Sequence, residues 1–178
     1  MNPSLEEEKI RKVIDKLIAQ FKERPDRWTV EREIHWEFFR LLFTEFRPEE
    51  IKNKFRWEVP VGKPGYAKGK TEAAVDLVWM SAPDKWMCVE IEANLSAGDQ
   101  LGEELKKCVE KLTTIPPARK AKIASGYVVP LVHCRTPDKK AKGYNMNYRC
   151  LIEKNITDAK GLIGLADIEI VKDGIVFE

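Results

Sequence analysis

The stretch EAAVDLVWM, residues 72–80, constrains the fold more than any other part of the chain. In a strand, successive side chains alternate between the two faces. Val75, Leu77 and Trp79 then line one face, and Ala74, Asp76, Val78 and Met80 line the other. A strand that is apolar on both faces needs a packed layer on each side of its sheet. The sequence therefore calls for a layered α/β fold. Asp76 falls in the middle of this strand, where a buried, unpaired carboxylate costs several kcal/mol. The fold must bring either a basic side chain or a metal ion to it.

The flanking segments supply the layers. Ser4 followed by Glu7 is a capping box, and Ile10, Val13, Ile14, Leu17, Ile18 and Phe21 recur at helical spacing, which predicts a helix over about 4–23. Thr29 is placed to cap a second helix, VEREIHWEFFRLLFTEF, and Pro48 to open a short third one, PEEIKNK. The period then changes to two. FRWEVPVG, TEAAVDLVWM and KWMCVEIEA read as strands, SAGDQLGEELKKCVEKLTTI as a helix, and GYVVPLVHC as a further strand in which Pro130 suggests an edge or a bulge. Asp173-Gly174 reads as a hairpin turn near the end. No repeat or linker divides the chain. The expectation is one domain, 1–178, with a core at 29–135, an N-terminal helical extension at 1–28, and helices packed on a mixed β-sheet.

The third strand carries Cys88, Glu90 and Glu92 on one face and Met87, Val89, Ile91 and Ala93 on the other. If it pairs with the strand of Asp76, the three acids converge across a spacing of about 4.8 Å. Glu37 sits on the apolar stripe of the second helix and is a candidate fourth acid, whereas Glu31 and Glu33 are expected to look outward. Converging hard oxygen donors suit Mg²⁺ or Mn²⁺.

Composition narrows the alternatives. Four cysteines without a CxxC pair argue against a zinc framework and against disulfides. The charged start MNPSLEEEKIRK has no signal-peptide core, and no apolar run approaches the ~20 residues that span a bilayer, so the cytoplasm is the expected compartment. Net charge is only +2, but residues 117–154 hold nine Lys or Arg against Asp138 and Glu153. Lys120, Lys122, Arg135, Lys139, Lys140, Lys142 and Tyr144 in this region are candidates for contacting a nucleic-acid backbone, the alternative being an ordinary solvated surface. His35 and His133 read as packing residues. GxSxG, Walker and GxGxxG motifs are absent, which removes support for acyl transfer, P-loop hydrolysis and dinucleotide binding.

Glu37 on a helix, Asp76 on a strand and Glu90-Ile91-Glu92 on the next, followed by a helix and the strand GYVVPLV, resemble the PD-(D/E)XK nuclease superfamily over about residues 30–135. Residue 75 is Val where that pattern has Pro, and Glu92 stands where it has the lysine. The resemblance implies a restriction endonuclease-like mixed sheet flanked by helices. It also implies a Mg²⁺-dependent endodeoxyribonuclease acting on DNA through Asp76, Glu90, Glu92 and Glu37, with a homodimer as the economical source of specificity. Glu92 would replace the lysine as metal ligand and water-orienting base, with Lys107 or Lys111 on the following helix as other sources of an amine. The competing expectation is a nuclease-like module that binds nucleic acid or a protein without cutting, its first helix being a docking face.

Overall fold

The computed structural model describes residues 4–25, 27–28, 30–61, 73–94, 101–113, 122–134 and 168–177. Helix α1 (Leu5–Glu23) starts at its own cap: the Glu7 N–H donates to Ser4 Oγ (3.2 Å), and the Ser4 N–H donates to the Glu7 carboxylate (3.4 Å). All six apolar residues of its stripe are buried. Helix α2 (Glu31–Leu42) stops four residues short of Phe46, because the N–H groups of Thr44, Glu45 and Phe46 fold back onto the Leu41 and Leu42 carbonyls. Its cap residue is Val30, and Thr29 lies outside the described residues. Helix α3 (Pro48–Lys54) has the expected proline in its first turn.

Strands β1 (Phe55–Pro60), β2 (Ala74–Ala82) and β3 (Lys85–Asn94) form an antiparallel meander. Helix α4 (Leu101–Thr113) then crosses over to β4 (Lys122–Cys134), which runs parallel to β3. The sheet order is β1-β2-β3-β4-β5, with β5 (Ile168–Ile170) and β6 (Ile175–Phe177) both on the far edge of β4. The fold is a mixed α/β sheet flanked by helices. One face buries Leu77, Trp79, Met87, Val89 and Ile91 against α1, α2 and α3. The other buries Val78, Trp86, Cys88 and Val128 against Leu105, Cys108, Val109 and Leu112 of α4. Helix α1 and Trp28, in the segment expected as an extension, supply a large share of the first core. The apolar stripe of α1, from Ile10 to Phe21, is consumed there.

Two expectations need correction, and they share one cause. Pro130 does not mark an edge, since β4 is central. On its outer side, β5 pairs with Gly126–Val128 and β6 with Val132–Cys134, so Pro130 occupies the gap where no ladder bond is required of it. The 3₁₀ turn Lys172–Gly174 bridges that gap. Asp173-Gly174 therefore joins two strands that both run parallel to β4 and makes no hairpin. Among the described residues, no helix is long and apolar enough to cross a membrane.

The two described glycines at close contacts should respond differently to alanine. A Cβ at Gly174 would collide with the Pro130 carbonyl, a backbone atom that cannot step aside, whereas at Gly126 it would meet only side-chain atoms, Ile168 Cγ1 and Leu112 Cδ1, both at 3.1 Å. Gly174→Ala should cost about 1–3 kcal/mol in urea unfolding. Gly126→Ala should cost less than about 1 kcal/mol, since side chains yield more readily than backbone and the unfolded chain loses entropy.

Candidate active site

Strands β2 and β3 pair from Ala82↔Lys85 to Leu77↔Val89 and then part. Beyond that point β2 stays with β1 as far as Pro60↔Ala74, and β3 stays with β4 as far as Asn94↔Val132. Where the backbone ladder ends, carboxylates take over its hydrogen bonds. The Asp76 N–H donates to Glu90 Oε1 (3.2 Å), and the Ile91 N–H donates to Asp76 Oδ2 (2.9 Å). Each acid thus satisfies an amide on the opposite strand, and both are fixed at the fork.

Helix α4 closes the site from the sheet's second face. Lys111 Nζ donates to Glu90 Oε2 at 2.5 Å and lies 3.9 Å from Asp76 Oδ1. The Glu90 side chain is fully buried, while those of Lys111 and Asp76 are 19% and 16% exposed. Burial, and then the charge of Asp76, push the Glu90 carboxyl up to about 8 against the pull of Lys111. Burial works to lower Lys111, but Glu90 and Asp76 outweigh it and hold the ammonium above its ordinary value. The amine stays charged.

Helix α2 approaches Asp76 from the other side, through the turn that carries Glu31 and His35. His35 Nε2 lies 3.7 Å from Glu31 Oε1 and 3.8 Å from Asp76 Oδ2, and the three ligand-type atoms fall within 4.8 Å of one another. His35 Nε2 is buried with no hydrogen-bond partner among the described residues. Burial, followed by Asp76, raises the Glu31 carboxyl. Glu92, half-buried on the Glu90 face of β3, is pushed up to about 7 by burial first and then by the charges of Glu31, Glu104 and Asp76.

Asp76, Glu90 and Glu92 are therefore brought into one electrostatic neighbourhood. Glu37 is not part of it. Two residues beyond His35 it points about 200° around the helix, where Arg40 donates from Nε to both carboxylate oxygens (3.1–3.2 Å) and from Nη2 to Oε1 (2.5 Å), and these bonds set its carboxyl below the ordinary range. The acid that α2 does bring is Glu31, expected to face outward. Its signal was the i,i+4 spacing to His35, which puts both on one helix face. Lys111 stood beside the α4 stripe of Cys108 and Leu112, but only the parallel crossover reveals that it overlies Glu90. Of the basic candidates, Lys122 is placed by its backbone at the start of β4, paired with Lys85. Lys120, Arg135, Lys139, Lys140, Lys142 and Tyr144 lie outside the described residues.

No family model matches the chain, and no curated protein or solved structure matches it.

Removing one member of a buried ion pair strands the other. Lys111→Met should destabilise the protein by about 3–5 kcal/mol in denaturant unfolding. Adding Glu90→Gln to that background should recover most of the loss, because a neutral amide is cheaper to bury. Equal, additive losses from the two changes would show that the side chains do not act as a pair.

Proposed function

We propose that the chain is a metal-dependent nuclease that hydrolyses phosphodiester bonds in DNA, with Asp76, Glu90, Glu92 and Lys111 as its chemical core. The observation that carries this reading is the convergence, at the fork between β2 and β3, of the buried Glu90, the partly buried Asp76, an amine hydrogen-bonded to the first and 3.9 Å from the second, and a half-buried glutamate raised to about 7. The order of helix acid, strand Asp, Glu-x-Glu strand, helix and strand implied by the superfamily resemblance agrees with the topology, with Glu31 in place of Glu37.

The donor set fits a divalent cation. A buried imidazole nitrogen with no hydrogen-bond partner among the described residues, flanked by an exposed and a partly buried carboxylate, suits such an ion, with Asp76, His35 and Glu31 as the groups that would hold it. One nitrogen among the donors shifts preference from Mg²⁺ towards Mn²⁺. A cation bound there would lower the pKa of a water and offset charge developing on the phosphate. Glu92, with a proton affinity close to neutrality, takes the proton of the attacking water. Lys111 supplies a fixed positive charge against a phosphate oxygen, the role that the motif lysine has in the resembled pattern, delivered from α4 instead of β3. Glu90 holds that amine in place.

A binding module that does not cut is the second reading. It is favoured by the same Glu90–Lys111 contact, because both oxygens of Glu90 are already occupied. Cleavage separates the two. Plasmid and single-stranded DNA should be cut in Mn²⁺ and more slowly in Mg²⁺. Asp76→Ala should abolish cutting, and Glu92→Gln should slow it about 10²–10⁴-fold, the range for a lost general base. Mn²⁺ binding that depends on Asp76, without cutting of any DNA, would decide for the binding module.

A further inference from the structure

A cavity of about 260 Å³ lies beside the acid cluster, lined by Arg32, His35, Trp36, Trp57 and Glu58. His35 belongs to both: its ring lines the cavity, and its Nε2 stands 3.8 Å from Asp76. The cavity is built from α2 and the edge strand β1. Trp36 and Trp57 have ring centroids 6.1 Å apart at an angle of 55°, and the His35 ring is 6.3 Å from Trp57. These tryptophans remain open to solvent, Trp36 at 62% and Trp57 at 36%, so neither has been spent on the core.

The backbone is bent to make this cavity. In an extended strand Trp57 and Glu58 would point to opposite faces, yet both line it. Glu58 is the only non-glycine among the described residues with a positive φ, 42°, a left-handed conformation that costs of order 1–3 kcal/mol. In register it stands opposite Asp76, between the pairs Trp57↔Leu77 and Val59↔Val75. The strained residue and the central carboxylate therefore occupy the same step of the sheet.

We propose that this cavity holds a single unstacked nucleobase of a DNA strand whose neighbouring phosphate lies at Asp76. The size, just under the roughly 300–1,000 Å³ of sites for drug-sized ligands, suits one base and excludes a stacked pair. Aromatic faces take any base, since every base has a π-face. Arg32 and Glu58 offer a donor and an acceptor to its polar edge. The proposal rests on the nuclease reading for the position of the phosphate, and it makes the substrate an unpaired or locally opened strand.

The test is a binding measurement, so that it stands apart from cutting. The full-length protein without added metal is titrated with a thymidine oligonucleotide of about eight nucleotides, within the usual single-strand site size. A second titration uses an abasic strand of equal length and charge. Tryptophan fluorescence and anisotropy are followed in both. The thymidine strand should quench the tryptophans and bind more tightly than the abasic strand. Trp36→Ala, at a mostly exposed position, should weaken thymidine binding about 5- to 150-fold, the equivalent of one lost stack. The abasic affinity should be unchanged, and Trp57→Phe should give an intermediate loss. Asp76→Ala should keep the preference for bases, which separates this proposal from the nuclease reading. Equal affinity for the two strands, or an undiminished preference in Trp36→Ala, would overturn it.

Discussion

The rest of the site depends on the burial of one carboxylate. Glu90 lies on a strand between two packed layers with no solvent exposure, and a charge there is tolerable only if the fold surrounds it with donors. Three elements answer that demand: the Asp76 amide from β2, the Lys111 amine from α4, and through Asp76 the Ile91 amide of its own strand. These contacts fix where β2 leaves β3 and where the crossover helix must pass. A buried ion pair of this kind gives little net stability compared with apolar residues of the same volume.

The fork is also where the sheet stops being regular. Paired strands would cover Asp76 with backbone, but at this step β2 parts from β3, and Glu58 of β1 turns left-handed. The opening is flanked by α2, whose Glu31 and His35 face the acids and whose Trp36 faces the cavity next to them. One helix turn thus serves both the acid cluster and the aromatic pocket. This arrangement couples them mechanically: His35 cannot move towards Asp76 without changing the wall of the pocket.

Much of this was legible in the sequence, and the rest had physical reasons to be hidden. The capping box at Ser4, the stripe from Ile10 to Phe21, the change of period after Lys54 and the two-sided burial of β2 are local patterns, and the structure repeats them. Asp76 and Glu90 could be singled out because a charge in an apolar strand has to be explained. Glu37 misled because it too lies on an apolar stripe, but Arg40 one turn on gives it a partner within its own helix. Glu31, expected to look outward, His35, expected to pack, and Lys111, one of two helix lysines offered as the amine, could not be placed at the site for the opposite reason. Their convergence comes from which elements meet across the sheet, and the only local trace of it is the i,i+4 spacing of Glu31 and His35. Pro130 belongs with them: its tolerance in a central strand depends on the gap between β5 and β6, set by residues about 40 positions away.

The central claim is that these acids are arranged to hold a divalent cation. Thermal unfolding of the metal-free protein across pH, with and without Mn²⁺, tests it most directly. Glu92 and Glu90 have folded-state pKa values raised to about 7 and about 8 from an ordinary 4.5. Stability should therefore be highest below pH 4.5 as far as these two groups are concerned, and be lost as pH rises through 7 and 8. Mn²⁺ should restore it, raising the Tm more at pH 8 than at pH 5, because binding displaces the protons. The increment should vanish in Asp76→Ala. A Tm profile that is identical with and without Mn²⁺ would contradict the account and leave the acids as a structural strut.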